Sequence, residues 1–83
     1  MGPLTATIIG IMGSILIVAA YGYANVANPV RPLPYNIINL VGAALLTISL
    51  TVHFNLAALL LEFVWMAIAL FGIGKALLKK GEA

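Results

Sequence analysis

Three long apolar runs, broken by two short polar stretches, organise this chain. The first goes from Thr5 to about Ala24, TATIIGIMGSILIVAAYGYA, and carries no charge. At ~1.5 Å rise per residue it is long enough to cross a hydrocarbon core of ~30 Å as a helix. Residues 28–34, NPVRPLP, follow with three prolines and an arginine. Proline lacks the amide donor and clashes with the preceding turn, so a loop is expected there. The second run spans Tyr35 to Val52, YNIINLVGAALLTISLTV, and only His53, Phe54 and Asn55 separate it from a third, Leu56 to about Leu78. Read as one helix, Tyr35 to Leu78 would be about twice the bilayer thickness. A tight helical hairpin fits better, with Asn55 as the N-cap of the third helix.

The expected layout is therefore one membrane domain over 1–83: a first span over about 5–25, a loop over 26–34, a second span over about 35–52, a turn over 53–55, a third span over about 56–78 and a tail over 79–83. Transmembrane strands are ~10 residues of alternating polarity, and about eight or more are needed to close a barrel. Continuous apolar runs of this length are helices, because lipid offers no partner to an exposed backbone. The predicted fold class is all-α, an integral membrane three-helix bundle.

Composition agrees with that picture. Apolar residues make up 64% and charged residues 7%, against about 25% charged in soluble domains. An ordinary soluble domain, a disordered chain and a nucleic-acid binder are excluded. With no cysteine there is no disulfide, thiolate metal site or cysteine nucleophile. Lys75, Lys79 and Lys80 follow the third run, and Arg31 lies in the first loop. Cations favour the cytoplasmic side, so the C-terminus and the Arg31 loop are expected there, with the N-terminus and the His53 turn outside. Tyr21, Tyr23 and Tyr35 fall near the cytoplasmic interface, where amphipathic rings anchor. No Lys or Arg precedes Arg31, so the first run is read as a retained span rather than a cleaved signal.

Glu62 is the sharpest chemical feature, flanked by LLL and FVW inside the third run. A carboxyl at that depth is expensive and faces a bundle interior or a water-filled cavity. Ser14, Thr47 and Ser49 come to a similar level on the other helices and are its expected hydrogen-bond partners; no cation lies nearby. Trp65 follows three residues on and shares its face. That face continues as Asn55, Ala58, Glu62, Trp65, Ala69 and Gly72, and the opposite one, Leu59, Leu60, Phe63, Met66 and Leu70, suits lipid. Asn36 reads as an N-cap of the second helix and Asn39 as an interhelical hydrogen-bonding residue. Gly10, Gly13, Gly42, Ala43, Ala58 and Ala69 are the expected close-packing positions, small residues that let helices approach. His53 reads as a solvated turn residue. No catalytic motif, metal-ligand spacing or cofactor signature is present, so no enzyme activity, metal or cofactor is expected.

Two segments carry a resemblance. Asn39-Leu40-Val41-Gly42-Ala43-Ala44-Leu45-Leu46 and Leu61-Glu62-Phe63-Val64-Trp65-Met66-Ala67-Ile68-Ala69 resemble the core of an uncharacterised family of small bacterial inner-membrane proteins, with N-x-x-G-A-x-L-L in one helix and L-E-x-x-W-x-x-I-A in the next. The match covers about Tyr35 to Gly74. More distantly, three helices with a long first loop and a tight second turn look like SemiSWEET transporters of the PQ-loop superfamily. That resemblance implies a parallel dimer whose third helix lies between the first and second. The Pro-Gln signature is missing, and Asn39 and Trp65 lie on the opposite helices from that family's sugar-binding asparagine and tryptophan, so neither role carries over.

Two functions follow as expectations. One is a transporter-like half-unit that oligomerises, as a homodimer, into a solute or proton pathway lined by Glu62, Trp65, Asn39, Ser14, Thr47 and Ser49, with its small-molecule substrate unspecified. The other is a non-transporting accessory subunit or scaffold of a membrane complex, in which Glu62 holds helices or a partner together.

Overall fold

A computed structural model describes residues 1–82 of the chain. It is all-α, with three packed helices: α1 Pro3–Val26, α2 Pro32–Leu50 and α3 Leu56–Glu82. Each is long and apolar enough to span a membrane. The long dimension is 46 Å, enough to cross the ~30 Å hydrocarbon core and reach both interfaces.

The helix ends follow from local chemistry. Ala27 closes α1 by donating its N–H to the Tyr23 carbonyl at 2.8 Å. The Tyr23 hydroxyl in turn accepts the Arg31 N–H at 2.9 Å, tying the loop to the helix it leaves. That loop is shorter than the sequence suggests, because α2 begins at Pro32 rather than near Tyr35. Prolines in a first helical turn give up amides that have no intrahelical acceptor anyway. The N-cap is Arg31, without a side-chain cap bond. Asn36 is therefore not a cap; it lies within the helix and its amide donates back to the Pro32 carbonyl at 2.7 Å.

At the other end, α2 stops at Leu50, and the N–H groups of Thr51, Val52 and His53 turn back onto Ile48 and Ser49. The turn thus occupies 51–55 rather than 53–55. Asn55 caps α3 as the sequence predicts, its Oδ1 accepting the Ala58 N–H at 3.1 Å. Beyond Leu78, where a tail is expected, α3 continues to Glu82; Ala83 lies outside the described residues.

Packing is governed by small residues. α2 lies between α1 and α3, which do not pack on each other. The SemiSWEET-like order, with the third helix in the middle, is not the order seen. On α1 the buried positions are Ala6, Gly13 and Ala20, spaced by seven residues, the repeat of a left-handed helix crossing. On α2 they are Asn39, Gly42, Ala43 and Ser49. Among the described residues every buried hydrophobic one is an alanine and no large side chain is fully buried, while Leu4, Ile15, Val18, Phe71 and Leu78 are among the many exposed. In water such a surface would aggregate. In lipid it is the expected distribution, because the surrounding acyl chains are as apolar as leucine and helices associate through close backbone approach.

Candidate functional site

The side-by-side order of the helices leaves a groove above α2. Ser14, Ile17 and Val18 of α1 form one wall, Leu46 of α2 the floor, and Leu61, Glu62 and Trp65 of α3 the other wall, around a volume of about 320 Å³. Glu62 lies about 9 Å along α3 from Leu56 at ~1.5 Å per residue. Its Oε2 is enclosed and lacks a hydrogen-bond partner among the described residues.

The hydroxyls expected to serve Glu62 are engaged elsewhere. Ser14 donates to the Gly10 carbonyl and Thr47 to the Ala43 carbonyl, each at 2.9 Å. Both are bonds to the preceding turn of their own helix, the partner nearest to hand for a hydroxyl that lipid cannot satisfy. Ser49 turns towards α1 and donates to the Ala6 carbonyl at 2.7 Å, in a buried bond between helices. Ser14 still lines the groove; Thr47 and Ser49 do not.

Trp65 is shared between two sites. On one side it lines the Glu62 groove; on the other it lines a smaller cavity of about 80 Å³ with Tyr35, Asn36, Asn39, Ile68 and Ala69. Asn39 is buried there. The six expected pathway residues thus separate into a Glu62–Trp65–Ser14 groove, an Asn39 cavity that shares Trp65, and two hydroxyls, Thr47 and Ser49, that line neither. The lipid face expected for α3 also needs correction. Leu59 and Met66 are half-buried, whereas Trp65 is 39% exposed. Because α3 packs on α2 alone, its contact stripe follows Ala58–Leu59, Glu62, Met66, Ala69 and Gly72–Ile73.

The close-packing positions cluster as their size requires. A Cβ on Gly13 would lie 2.6 Å from the Gly42 carbonyl oxygen, and one on Gly10 2.8 Å from Ser49 Oγ. Ala43 and Ala69 are buried, and Ala58 is half-buried. Two arrangements escaped the sequence reading. Gly72 faces the Asn36 amide so closely that a Cβ would lie 2.5 Å from its Nδ2. His53, expected to be free in its turn, has Nε2 3.0 Å from Thr7 Oγ1 and 3.1 Å from the Pro3 carbonyl. The Thr7 hydroxyl donates to that same carbonyl at 2.9 Å, so Nε2–H is the donor that completes the set. Parity puts the N-terminus and the His53 turn at one end of the bundle, and that is the available signal.

At the opposite end, Lys75 and Lys79 line a pocket with Pro32, Asn36, Gly72 and Ala76. Among the described residues no group of three or more His, Cys, Asp or Glu side chains is gathered to hold a metal.

Three packed helices, each long and apolar enough to cross a membrane, define a small three-span membrane protein. A family model matches residues 6–80, and the chain belongs to that uncharacterised family. No curated protein and no solved structure matches it.

Proposed function

We propose that the protein is a half-unit of a membrane pathway, in which a second copy faces the open groove and Glu62 is the group that takes up the proton or solute. The observation that carries this reading is the enclosed, unpartnered Oε2 of Glu62 in a groove between two helices that do not pack on each other. A carboxyl kept only to fasten the helices of its own chain together would be hydrogen-bonded between them; Oε2 has no such partner among the described residues. Three helices arranged side by side enclose no path alone, and repeats related by an axis along the membrane normal are a known transporter design.

Orientation in the bilayer is part of the proposal. Lys75 and Lys79 flank the start of α2, next to Arg31. The described cationic side chains thus gather at one end, which favours a cytoplasmic C-terminus and an outside N-terminus in a bacterial inner membrane.

The test is proton and solute flux in liposomes, read with a proton-sensitive dye, for the wild type and Glu62→Gln at matched oligomeric state. Flux in the wild type that is lost in the variant supports the pathway. Absence of flux from both, across a panel of small metabolites, would refute it and favour an accessory or scaffold role.

A further inference from the structure

The Glu62 groove has one charge-bearing side chain on a hydrocarbon wall. Ile17, Val18, Leu46 and Leu61 supply the apolar surface, and Ser14 and Trp65 complete it. The Ser14 hydroxyl proton is committed to the Gly10 carbonyl, and neither it nor the Trp65 indole N–H bonds Glu62 Oε2, which has no partner among the described residues. The lysines of α3 start far from it: Lys75, the first of them, is about 20 Å further along the helix at ~1.5 Å per residue. An acyl chain could fill the volume but would leave the carboxyl oxygen unsatisfied, which is costly in a low-dielectric setting. An anion would be repelled. A cation with an apolar body meets every surface present: the carboxylate neutralises its charge, the face of the Trp65 ring attracts it, and the aliphatic side chains cover the rest. The volume, about 320 Å³, is at the lower end of the range for small-molecule sites, ~300–1,000 Å³.

We propose that this groove binds a monovalent organic cation with an apolar body, an amine or onium ion, with its charge against the Glu62 carboxylate and its body against Ile17, Val18, Leu46 and Leu61. The assignment rests on the reading that the groove is the working site, and it names the substrate class. Glu62 holds either a proton or the cation, so arrival of the cation releases the proton and acid competes with binding. The other side chains facing it from α1 (Ser14, Ile17 and Val18), α2 (Leu46) and α3 (Leu61 and Trp65) carry no charge and do not titrate in the range over which a carboxyl does.

The chain supplies its own reporter, because its single tryptophan, Trp65, lines the groove. The experiment titrates full-length protein in an uncharged detergent with tetraphenylphosphonium, and with the isosteric anion tetraphenylborate, following Trp65 fluorescence and confirming occupancy by equilibrium dialysis. Saturable binding of the cation alone is expected. It should weaken about tenfold or more in Glu62→Gln, since a charge pair a few ångström apart in a partly buried site is worth several times RT. It should also weaken as pH falls, and be retained in part by Glu62→Asp. Circular dichroism and gel filtration establish that the variants are folded. Equal binding by Glu62→Gln, equal binding of the anion, or no saturable response from the folded wild type would each overturn the assignment. Proton flux without cation binding defeats this substrate class and leaves the pathway standing; cation binding without any flux does the reverse.

Discussion

Gly13 and Gly42 meet backbone to backbone where α1 crosses α2. A Cβ on Gly13 would stand 2.6 Å from the Gly42 carbonyl oxygen, and a Cβ on Gly42 would stand 2.8 Å from the Gly13 carbonyl oxygen. The contact is reciprocal: each residue lacks a side chain where the other's carbonyl lies. Such an approach brings two helix backbones into van der Waals contact, the main source of helix association in lipid.

Alanine at either position forces the helices apart. Overpacking typically costs about 1–3 kcal/mol, and Gly13→Ala and Gly42→Ala are each expected to lose stability on that scale in thermal or detergent unfolding. Gly22 and Gly74 have nothing within 4 Å of a new Cβ. Alanine there should be neutral or slightly stabilising, by up to about 1 kcal/mol from helix propensity. The sign difference between the two pairs is the diagnostic; a uniform response would dismiss the crossing.

Ser49 extends the same interface towards the N-terminal end of α1. Its hydroxyl donates to the Ala6 carbonyl at 2.7 Å, and its Oγ lies 2.8 Å from where a Gly10 Cβ would be. Hydrogen bonds between membrane helices are worth about 0.6 kcal/mol on average, so Ser49→Ala should cost roughly that. Gly10→Ala should cost more, by displacing Ser49. In a double-mutant cycle the pair is expected to be milder than the sum of the singles, and strict additivity would mean that the two residues do not touch.

The small residues were legible because they break an otherwise bulky apolar run, and a membrane helix needs them where it packs. Glu62 was legible for the complementary reason, as a carboxyl inside such a run. What the sequence could not convey was which helix stands in the middle. That follows from α2 having small or polar residues on two faces: Gly42 and Ser49 meet α1, while Asn36 meets Gly72 of α3. Side-chain hydroxyls misled for a local reason. A serine or threonine on a membrane helix can bond the carbonyl one turn back, as Ser14 and Thr47 do, and depth alone does not reveal that their protons are already taken. The first prolines of α2 misled as well, since a proline that breaks a helix interior is well tolerated in a first turn.

Gly72 and Asn36 give a separate test of the α2–α3 contact. A Cβ on Gly72 would lie 2.5–2.6 Å from the Asn36 amide atoms, and that amide is held by its bond to the Pro32 carbonyl. Gly72→Ala is expected to destabilise by about 1–3 kcal/mol. Adding Asn36→Ala removes the obstructing group and should recover most of that loss. Should Asn36→Ala leave the Gly72→Ala defect untouched, the steric account of this contact would be wrong.

Glu62→Leu separates function from stability most sharply. Oε2 has no partner among the described residues, so the carboxyl contributes no identified hydrogen bond that leucine would lose. Burying an unsatisfied polar group costs about 1–3 kcal/mol in mutational data. Leucine should therefore leave the fold as stable as the wild type, or more stable by a comparable amount, in a detergent unfolding curve, with helix content and oligomeric state unchanged. The same variant should bind no organic cation and conduct nothing. A carboxyl that fastens subunits together predicts the opposite pairing: Glu62→Gln would assemble normally, whereas Glu62→Leu would fall apart on gel filtration. A leucine variant that is silent yet stable would mean that Glu62 is retained against its own energetic cost, as expected of a residue that must accept a charge during the working cycle.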